Sequence, residues 1–359
     1  MNYRTRIIPR KEVSTIWCGE NSGRLIVDWA EGNTSDAAVE TQYLDGFGRP
    51  LLLVRRGASP AMTDRYELVE YDFLGRVSRS WLPGSNGETK GSYEDPNEVM
   101  RTVKFYNDDQ KPYVRNVYYD EPGSELAKQY GAGSDWQDTG HGVTFEYLCN
   151  IEGNAELDCA LYSVSYTSES EDLIVVKRAG SYPTGTLSVT KVTDEDGDVS
   201  LEFRNRSGLT VLARRIGERG ERHDTYSLYD AFGRIQAVLP PLVASGIESG
   251  GDTGEILRQY AYLYRYDPLG QPIAKKLPGA DWIHYVYNKA GQPVFTQDGN
   301  QRARNPDEWT FSLSDPLGRQ VLTGTCVRPM DYAKSPCLDV TVKAVPTHSG
   351  TGMMGYNVE

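Results

Sequence analysis

Nowhere in the 359 residues does an apolar run approach the roughly 20 residues that a membrane-crossing helix needs, and hydrophobic residues make up only 38% of the chain. The opening stretch, MNYRTRIIPRKEV, lacks the apolar core of a secretory signal. Either the protein stays inside the cell or the sequence begins downstream of its natural start. Positive charge is also short: 38 Lys plus Arg against 50 Asp plus Glu give 38 − 50 = −12. Nucleic acid and anionic membranes reward a basic surface, so bulk charge speaks against both as partners. The four histidines (His141, His223, His284, His348) have no metal-ligand spacing among themselves or to the five cysteines. No G-x-S-x-G elbow or protease-type Cys or His signature occurs. These gaps leave no metal, cofactor or nucleophile to expect.

What the chain has instead is 36 Gly, 24 Tyr and 19 Pro. Tyr supplies apolar area that a hydropathy sum undervalues, and a disordered chain would lack aromatics. The composition therefore fits a folded, turn-rich β protein. Length alone suggests roughly two units of about 150 residues, or one extended β structure. Among the cysteines, Cys149 and Cys159 lie ten positions apart and Cys326 and Cys337 eleven, with Cys18 left over. Local disulfides and free thiols both fit those spacings.

Self-similarity is the strongest signal. Tyr71 to Pro83 reads YDFLGRVSRSWLP, Tyr229 to Pro240 reads YDAFGRIQAVLP, and Tyr266 to Pro278 reads YDPLGQPIAKKLP. YNKAGQPVFTQ starts at Tyr287, SDPLGRQVLTG at Ser314, LDGFGRPLLLV at Leu44 and RNRSGLTVLAR at Arg204. The shared core is Asp or Asn, two free positions, Gly, usually Arg or Gln, then an apolar strand. Its copies are Asp45 with Gly48, Asp72 with Gly75, Asn205 with Gly208, Asp230 with Gly233, Asp267 with Gly270, Asn288 with Gly291, and Asp315 with Gly318.

Each copy reads as the turn of a β-hairpin. Asp or Asn at the first position accepts hydrogen bonds from backbone N–H groups just ahead. Gly three residues later takes the positive φ of an αL residue before a bulge, and Pro at Pro268 and Pro316 presets the turn. The preceding Tyr (Tyr71, Tyr229, Tyr266, Tyr287) can lay its ring across a neighbouring strand. Leu-Pro at 82–83, 239–240 and 277–278 ends the return strand, since Pro cannot donate to a ladder. Single hairpins are marginal; stacked ones bury each other's faces. Arg49, Arg76, Arg234 and Arg319, after the glycines, are expected to cover tyrosine rings or pair with acids across strands.

These units resemble the YD repeats of the RHS family, found in bacterial RHS polymorphic toxins, insecticidal toxin-complex shells and animal teneurins. The resemblance covers about residues 43–83 and 203–325. Two further blocks are similar to that family: Tyr118-Tyr119-Asp120-Glu121-Pro122 with Gln129, Gly133, Trp136 and Gly140-His141, and the run from Leu277 through Trp282 and Gln301 to Phe311. The resemblance implies a mainly β fold: tandem YD-repeat hairpins forming a curved or spiralling antiparallel sheet, part of an RHS-type shell. Its segments would be an N-terminal strand region (1–42), a first repeat pair (43–83), an inserted or divergent β region (84–202), a repeat cluster (203–325) and a C-terminal tail or truncated repeat (326–359). The implied role is a non-enzymatic shell segment that encloses or displays a C-terminal effector. Its partners are the remainder of a longer RHS protein or that effector, in a secreted or cell-surface bacterial setting. The family's RHS-associated core is not found after the repeats, so no catalytic or self-processing residue carries over. The alternatives are a cell-surface carbohydrate-binding or adhesion module, with glycans as partners, and more remotely a glycoside hydrolase with paired carboxylates.

Elsewhere, Leu25–Trp29 reads as a strand, 84–98 as a loop or flexible insertion and 241–256 as a low-complexity insertion. Alternation over 99–120 (Val103, Phe105, Tyr113, Val117, Tyr119) reads as strands. Further strands are expected at 143–147, 161–166, 173–176, 186–192 and 199–203. One helical turn is expected from Ser124 to Tyr130, and a short helix from a Thr253 cap; little else looks helical. Asp194, Asp196 and Asp198 have the first spacings of a calcium loop, but Val199 and Asn205 stand where Gly and Glu belong, so a hairpin turn is the reading. Gly350, Gly352 and Gly355 match G-x-G-x-x-G with no room for the helix that a dinucleotide needs; a flexible tail is expected there. Asn33-Thr-Ser and Asn205-Arg-Ser are incidental glycosylation sequons.

Overall fold

Tight hairpins set the architecture. The computed structural model describes residues 3–8, 14–15, 38–85, 87, 91–120, 125–166, 174–249, 253–314, 317–327, 337–338, 342–345 and 355–358. The chain divides into two units, Met1–Glu146 with Lys191–Val199, and Tyr147–Thr190 with Ser200–Glu359. The mainly β, antiparallel expectation holds in each. The expected strand at Leu25–Trp29 and the glycine-rich tail lie outside the described residues, apart from the short strand Gly355–Val358.

In the first unit, strands follow one another in sequence and pair antiparallel: Ala38–Leu44, Pro50–Arg55, Arg65–Tyr71, Val77–Trp81, Tyr113–Tyr118 and Leu126–Tyr130. The register sets Leu52 opposite Leu68, Glu70 opposite Arg79, Arg79 opposite Arg115 and Arg115 opposite Tyr130. Because side chains alternate between faces, Leu52, Val54, Tyr66, Leu68, Trp81 and Tyr113 share one face and form a core with Val99 and Val103. Buried Asp64 ties down the 56–64 loop by accepting the N–H groups of Gly57 and Gly91.

Val99 and Val103 belong to helix α1 (Pro96–Asn107), where strands were expected from residue 99. The i, i+4 spacing of the two valines decides the matter: both are buried while Phe105 is 82% exposed, which is a helical stripe and not a two-residue period. The ends are specified locally. Asp95 accepts the N–H of Asn97, Pro96 occupies the first turn, and Asp108 closes the helix at φ 48°. Helix α2 (Ser134–Asp138) follows. The helical turn expected over 124–130 is instead the strand Leu126–Tyr130, held by cross-strand pairs to Tyr113–Tyr118.

The second unit repeats the same construction. Thr210–Ile216, Arg222–Tyr229, Ile235–Leu239, Tyr262–Tyr266, Pro272–Lys276, Ile283–Asn288, Pro293–Gln297, Trp309–Ser314 and Gln320–Cys326 pair antiparallel in chain order. Ala160–Tyr166 and Ile174–Ser181 form a separate hairpin. The 241–256 stretch is not low-complexity coil. It contains helix α3 (Pro241–Glu248), which buries Val243 and Ala244, and helix α4 (Thr253–Tyr260), which buries Leu257. Pro240 both stops the preceding strand and begins α3. Helix α5 (Gly299–Arg302) opens with a capping box of Asp298 and Gln301. Arg214, 1% exposed, is paired to Asp224 at 2.6 Å and donates to the Glu156 carbonyl, so a buried charge is fully engaged.

Removing the α1 cap tests how far this helix depends on its local signal. Asp95→Ala should destabilise the protein by about 1 kcal/mol in urea unfolding, and Asp95→Asn much less, because the amide oxygen still accepts the Asn97 N–H.

Candidate functional site

Nine turns among the described residues share one backbone pattern. Eight begin at Asp45, Asp72, Asp194, Asn205, Gly217, Asp230, Asp267 and Asn288, and the ninth at Ser59. In each, the first residue's N–H bonds the carbonyl four residues on, and the N–H three residues on bonds back to the first carbonyl. At Asp72 these distances are 2.9 and 3.0 Å. In those eight the residue three on is Gly, at φ between 76° (Gly48) and 91° (Gly197), with Gly75, Gly208, Gly220, Gly233, Gly270 and Gly291 between them; in the Ser59 turn it is Met62, at φ 59°. An L side chain would be strained there. Gly318 has the same φ of 81°, while Asp315 lies outside the described residues.

One side-chain oxygen of the turn acid or amide is held by the turn's own backbone. Asp45 Oδ1 accepts from the N–H of Phe47 (2.8 Å) and of Arg49 (2.9 Å), and Asp72, Asn205, Asp230 and Asn288 repeat this at the same offsets. Asp267 Oδ1 accepts from the Gln271 N–H at 2.8 Å, while its Oδ2 is buried without a hydrogen-bond partner. Where Arg follows the glycine, its Nε reaches the other carboxylate oxygen of the same turn, at 2.7 Å for Arg49 and Arg76 and 2.6 Å for Arg234. Thus these arginines pair with the acid of their own turn, not with acids across strands. Burial alone would raise the Asp45, Asp72 and Asp230 carboxyls, but the N–H and guanidinium of the following Arg outweigh it and hold them below the ordinary value of 3.8.

The same residues couple each hairpin to the next. The guanidinium of Arg49 lies 4.3 Å from the centre of the Tyr71 ring, Arg76 4.4 Å from Tyr118, and Arg234 4.9 Å from Tyr266. Beneath them the tyrosine hydroxyls donate to backbone carbonyls of the preceding hairpin: Tyr71 to Pro50 (2.7 Å), Tyr118 to Val77 (2.8 Å), Tyr229 to Thr210 (3.0 Å), Tyr266 to Ile235 (2.9 Å) and Tyr287 to Pro272 (2.9 Å). In every case the acceptor stands five residues after the first residue of the preceding turn. The turns themselves also touch. A Cβ placed on Gly75 would sit 2.6 Å from Arg49 Nη1, and one on Gly291 would sit 2.9 Å from Gln271 Nε2. Within each unit the candidate site is therefore a row of turns, those at 45 and 72 in the first and those at 205, 230, 267 and 288 in the second, each locked to the next by one Tyr and by Arg49, Leu209, Arg234 or Gln271 against the next glycine.

Two further turns with Gly in this place, at the far ends of strands Val199–Arg204 and Thr210–Ile216 from the Asn205 turn, were not among the seven sequence copies. Asp194-Glu-Asp-Gly197 has the right spacing but lacks the following Arg or Gln; Asp194 Oδ1 accepts from Asp196 and Asp198, which is the hairpin turn read there in place of a calcium loop. The turn at Gly217 has no acid in first place, and Glu221 instead accepts the Arg219 N–H. The tyrosine hydroxyl bonds could not be foreseen, because they depend on which hairpin lies alongside. Cys149 and Cys159 are both unpaired thiols, the first exposed and the second buried. Burial pushes the Cys159 thiol up to about 12, away from the thiolate form in which a cysteine reacts. Cys18 and the side chain of Cys337 lie outside the described residues. Among the described residues no group of three or more His, Cys, Asp or Glu could hold a metal, and no helix is long and apolar enough to cross a membrane.

Tyr266→Phe should cost about 1 kcal/mol in urea unfolding, the net worth of one hydroxyl-to-carbonyl bond whose acceptor is left unpaired, and Tyr266→Ala clearly more, since the ring under Arg234 is lost as well. The Tyr287 hydroxyl is pushed up to about 12, first by burial and then by Tyr285 and Asp267 nearby, against 10.0 for an ordinary tyrosine. Above pH 10 the unfolded chain releases this proton while the folded chain keeps it. The stability that the latch contributes is therefore intact below pH 10 and lost as pH rises towards 12. Equilibrium unfolding across that range should show a shallower decline for Tyr287→Phe than for the unaltered chain.

Comparison with known proteins adds three findings. The profile of a family described as a domain of unknown function (DUF6443) matches residues 25–149. No curated protein sequence matches the chain significantly. Among solved structures, the Photorhabdus luminescens Tc holotoxin pore carrying a TccC3 mutation is similar, with a TM-score of 0.50 at 13% identity over 82% of this chain. The crystal structure of TcdB2-TccC3 aligns over 86% of the chain at 13% identity with a TM-score of 0.48. In both cases this chain spans 13% of the length of the chain it resembles. At that identity the likeness to the holotoxin pore is one of fold alone.

Proposed function

We propose that this chain is a non-enzymatic structural segment of an RHS-type, YD-repeat β-shell that encloses or displays a C-terminal effector outside this sequence. One observation carries the reading. Each of these hairpins offers, five residues after the first residue of its turn, a carbonyl that the next hairpin's tyrosine takes, so the assembly is extended by repetition and has no inherent centre. A fold shared with the Tc holotoxin pore supports it. On this reading Asp45, Asp72, Asn205, Asp230, Asp267, Asn288 and Asp315 and their glycines are turn formers, 43–83 and 203–325 are the repeat clusters, and 84–202 is a divergent β insertion. The partners are the remainder of a longer RHS protein and its effector, in an exported or surface-displayed bacterial assembly. The tyrosine latches lend nothing to a glycan-binding role, because ring and hydroxyl are both engaged within the chain.

The test uses the polypeptide of the natural reading frame. Electron microscopy should show a hollow particle, and limited proteolysis should leave a C-terminal segment intact until the particle is opened by denaturant. A solid or helix-rich particle, or a C-terminal segment cut at once in the native state, overturns the proposal.

A further inference from the structure

In the first unit the core face continues past the end of its helix cover. On three adjacent strands an apolar core residue is followed, two positions along and on the same face, by a charged one: Leu68 then Glu70, Trp81 then Arg79, and Tyr113 then Arg115. Helix α1 covers the apolar row. The charged row opens into a cleft of about 610 Å³, walled on the helix side by Pro96 and Met100 and on the sheet side by Leu68 and the three charged residues. That volume is within the range of small-molecule sites, about 300–1,000 Å³.

The charges do not cancel. Arg79 and Arg115 stand directly opposite each other across paired strands, an arrangement of like charges that is unfavourable unless something compensates it. Arg79 is neutralised by Glu70 at 3.1 Å, and Arg49, also in the cleft wall, by Asp45. Arg115 has no carboxylate partner among the described residues. Its guanidinium rests 4.3 Å from the centre of the Tyr130 ring, and its Nε is buried without a hydrogen-bond acceptor. The remaining polar groups of the wall are engaged: Ser78 donates to the Glu70 carbonyl, while Asn116 donates to the Val77 carbonyl and accepts from Gln129. The N-terminal turn of α1 is likewise taken, by Asp95.

We propose that this cleft binds a small organic carboxylate, with the carboxylate on the Arg115 fork and an apolar body against Met100, Pro96 and Leu68. A single unpaired guanidinium presents two parallel N–H donors, which match a carboxylate in bidentate geometry. One uncompensated positive charge calls for one negative charge, which favours a monocarboxylate over a phosphate dianion. The apolar wall distinguishes such a ligand from a bare anion.

The probe is 3-phenylpropionate, titrated into the isotopically labelled chain while the arginine Nε–Hε resonances are followed by NMR. Saturable movement of the Arg115 resonance is expected with a Kd of about 0.1–1 mM. 3-Phenylpropionamide and inorganic phosphate should each bind at least roughly tenfold more weakly. Arg115→Gln should abolish the response. It should leave the melting temperature equal or higher, since it removes a like-charge pair. Should that variant fail to fold, Arg115→Lys keeps the charge, loses the fork, and should weaken binding several-fold. No saturable shift up to about 10 mM, equal binding of the amide or of phosphate, or undiminished binding by the folded variants overturns the proposal.

Discussion

A tyrosine hydroxyl on a backbone carbonyl is the bond on which the repeating part of this structure depends. The residue at issue has two tasks. By its backbone Tyr71 pairs with Val77 of its own hairpin, beside the register shift that the αL glycine imposes; by its hydroxyl it reaches Pro50 of the hairpin before. Tyr266 and Tyr287 do the same with Pro272 and Pro293 at home and with Ile235 and Pro272 one hairpin back. Proline at several acceptor positions follows from this geometry. It has no N–H to leave unpaired at the edge of a bulge, yet its carbonyl remains available to the neighbour. A single such bond contributes only about 1 kcal/mol. What matters is that it is repeated at a fixed offset from each turn, so that a hairpin in the wrong register would forfeit the tyrosine bond, the Arg–ring contact and the fit against the glycine together.

This logic makes each interaction local and its consequences cumulative. Arg234 bonds its own Asp230, lies over the ring of Tyr266 and reaches the Asp267 carbonyl at 3.3 Å. It therefore couples two hairpins and no others, as expected of quasi-one-dimensional assemblies in which stability is a sum of units and nearest-neighbour terms. The unusual composition has the same origin. Tyrosine serves where another fold would use an aliphatic residue, because the position must be apolar along the ring and donate at its tip. Glycine is required once per turn by φ.

How much of this could be read beforehand differed by level. The turns were legible because Asp-x-x-Gly is a local code: the acid satisfies N–H groups two and four residues ahead, and nothing distant is needed. The strands over 143–147, 161–166 and 199–203 were legible from alternation for the same reason. Helix α1 was not, although Asp95-Pro96 is a fair start signal, because Val103, Phe105 and Tyr113 happen to alternate and only burial shows that Phe105 faces solvent. Helix α3 hid in a stretch whose Gly and Ser suggested coil; it exists because Val243 and Ala244 find a core to enter. The latches and the unpaired Arg115 lay beyond any local code, since each is defined by a residue on a neighbouring strand that the turn and register bring alongside.

A division of labour follows between the two ends of the hairpins. At one end most connections are the five-residue turns just described, fixed by φ, by the acid and by contact with the next turn, while the 119–125 link between Tyr113–Tyr118 and Leu126–Tyr130 is longer. At the other end, within each unit, connections vary freely: the 56–64 loop pinned by Asp64, the 82–112 segment with α1, the short turn at 217–221, the α3–α4 pair over 240–261, and α5 after Gln297. Insertions there do not disturb the latches, because the latches sit at the opposite ends of the strands. Variation in chain length is thus concentrated at one edge. Loops carried on a rigid scaffold are where proteins concentrate recognition. The cleft beside α1 exists because one such insertion folds back over the core face and stops short of its charged row. In a fold built by repetition, individuality of this kind can only enter at the edge that the repeat leaves unconstrained.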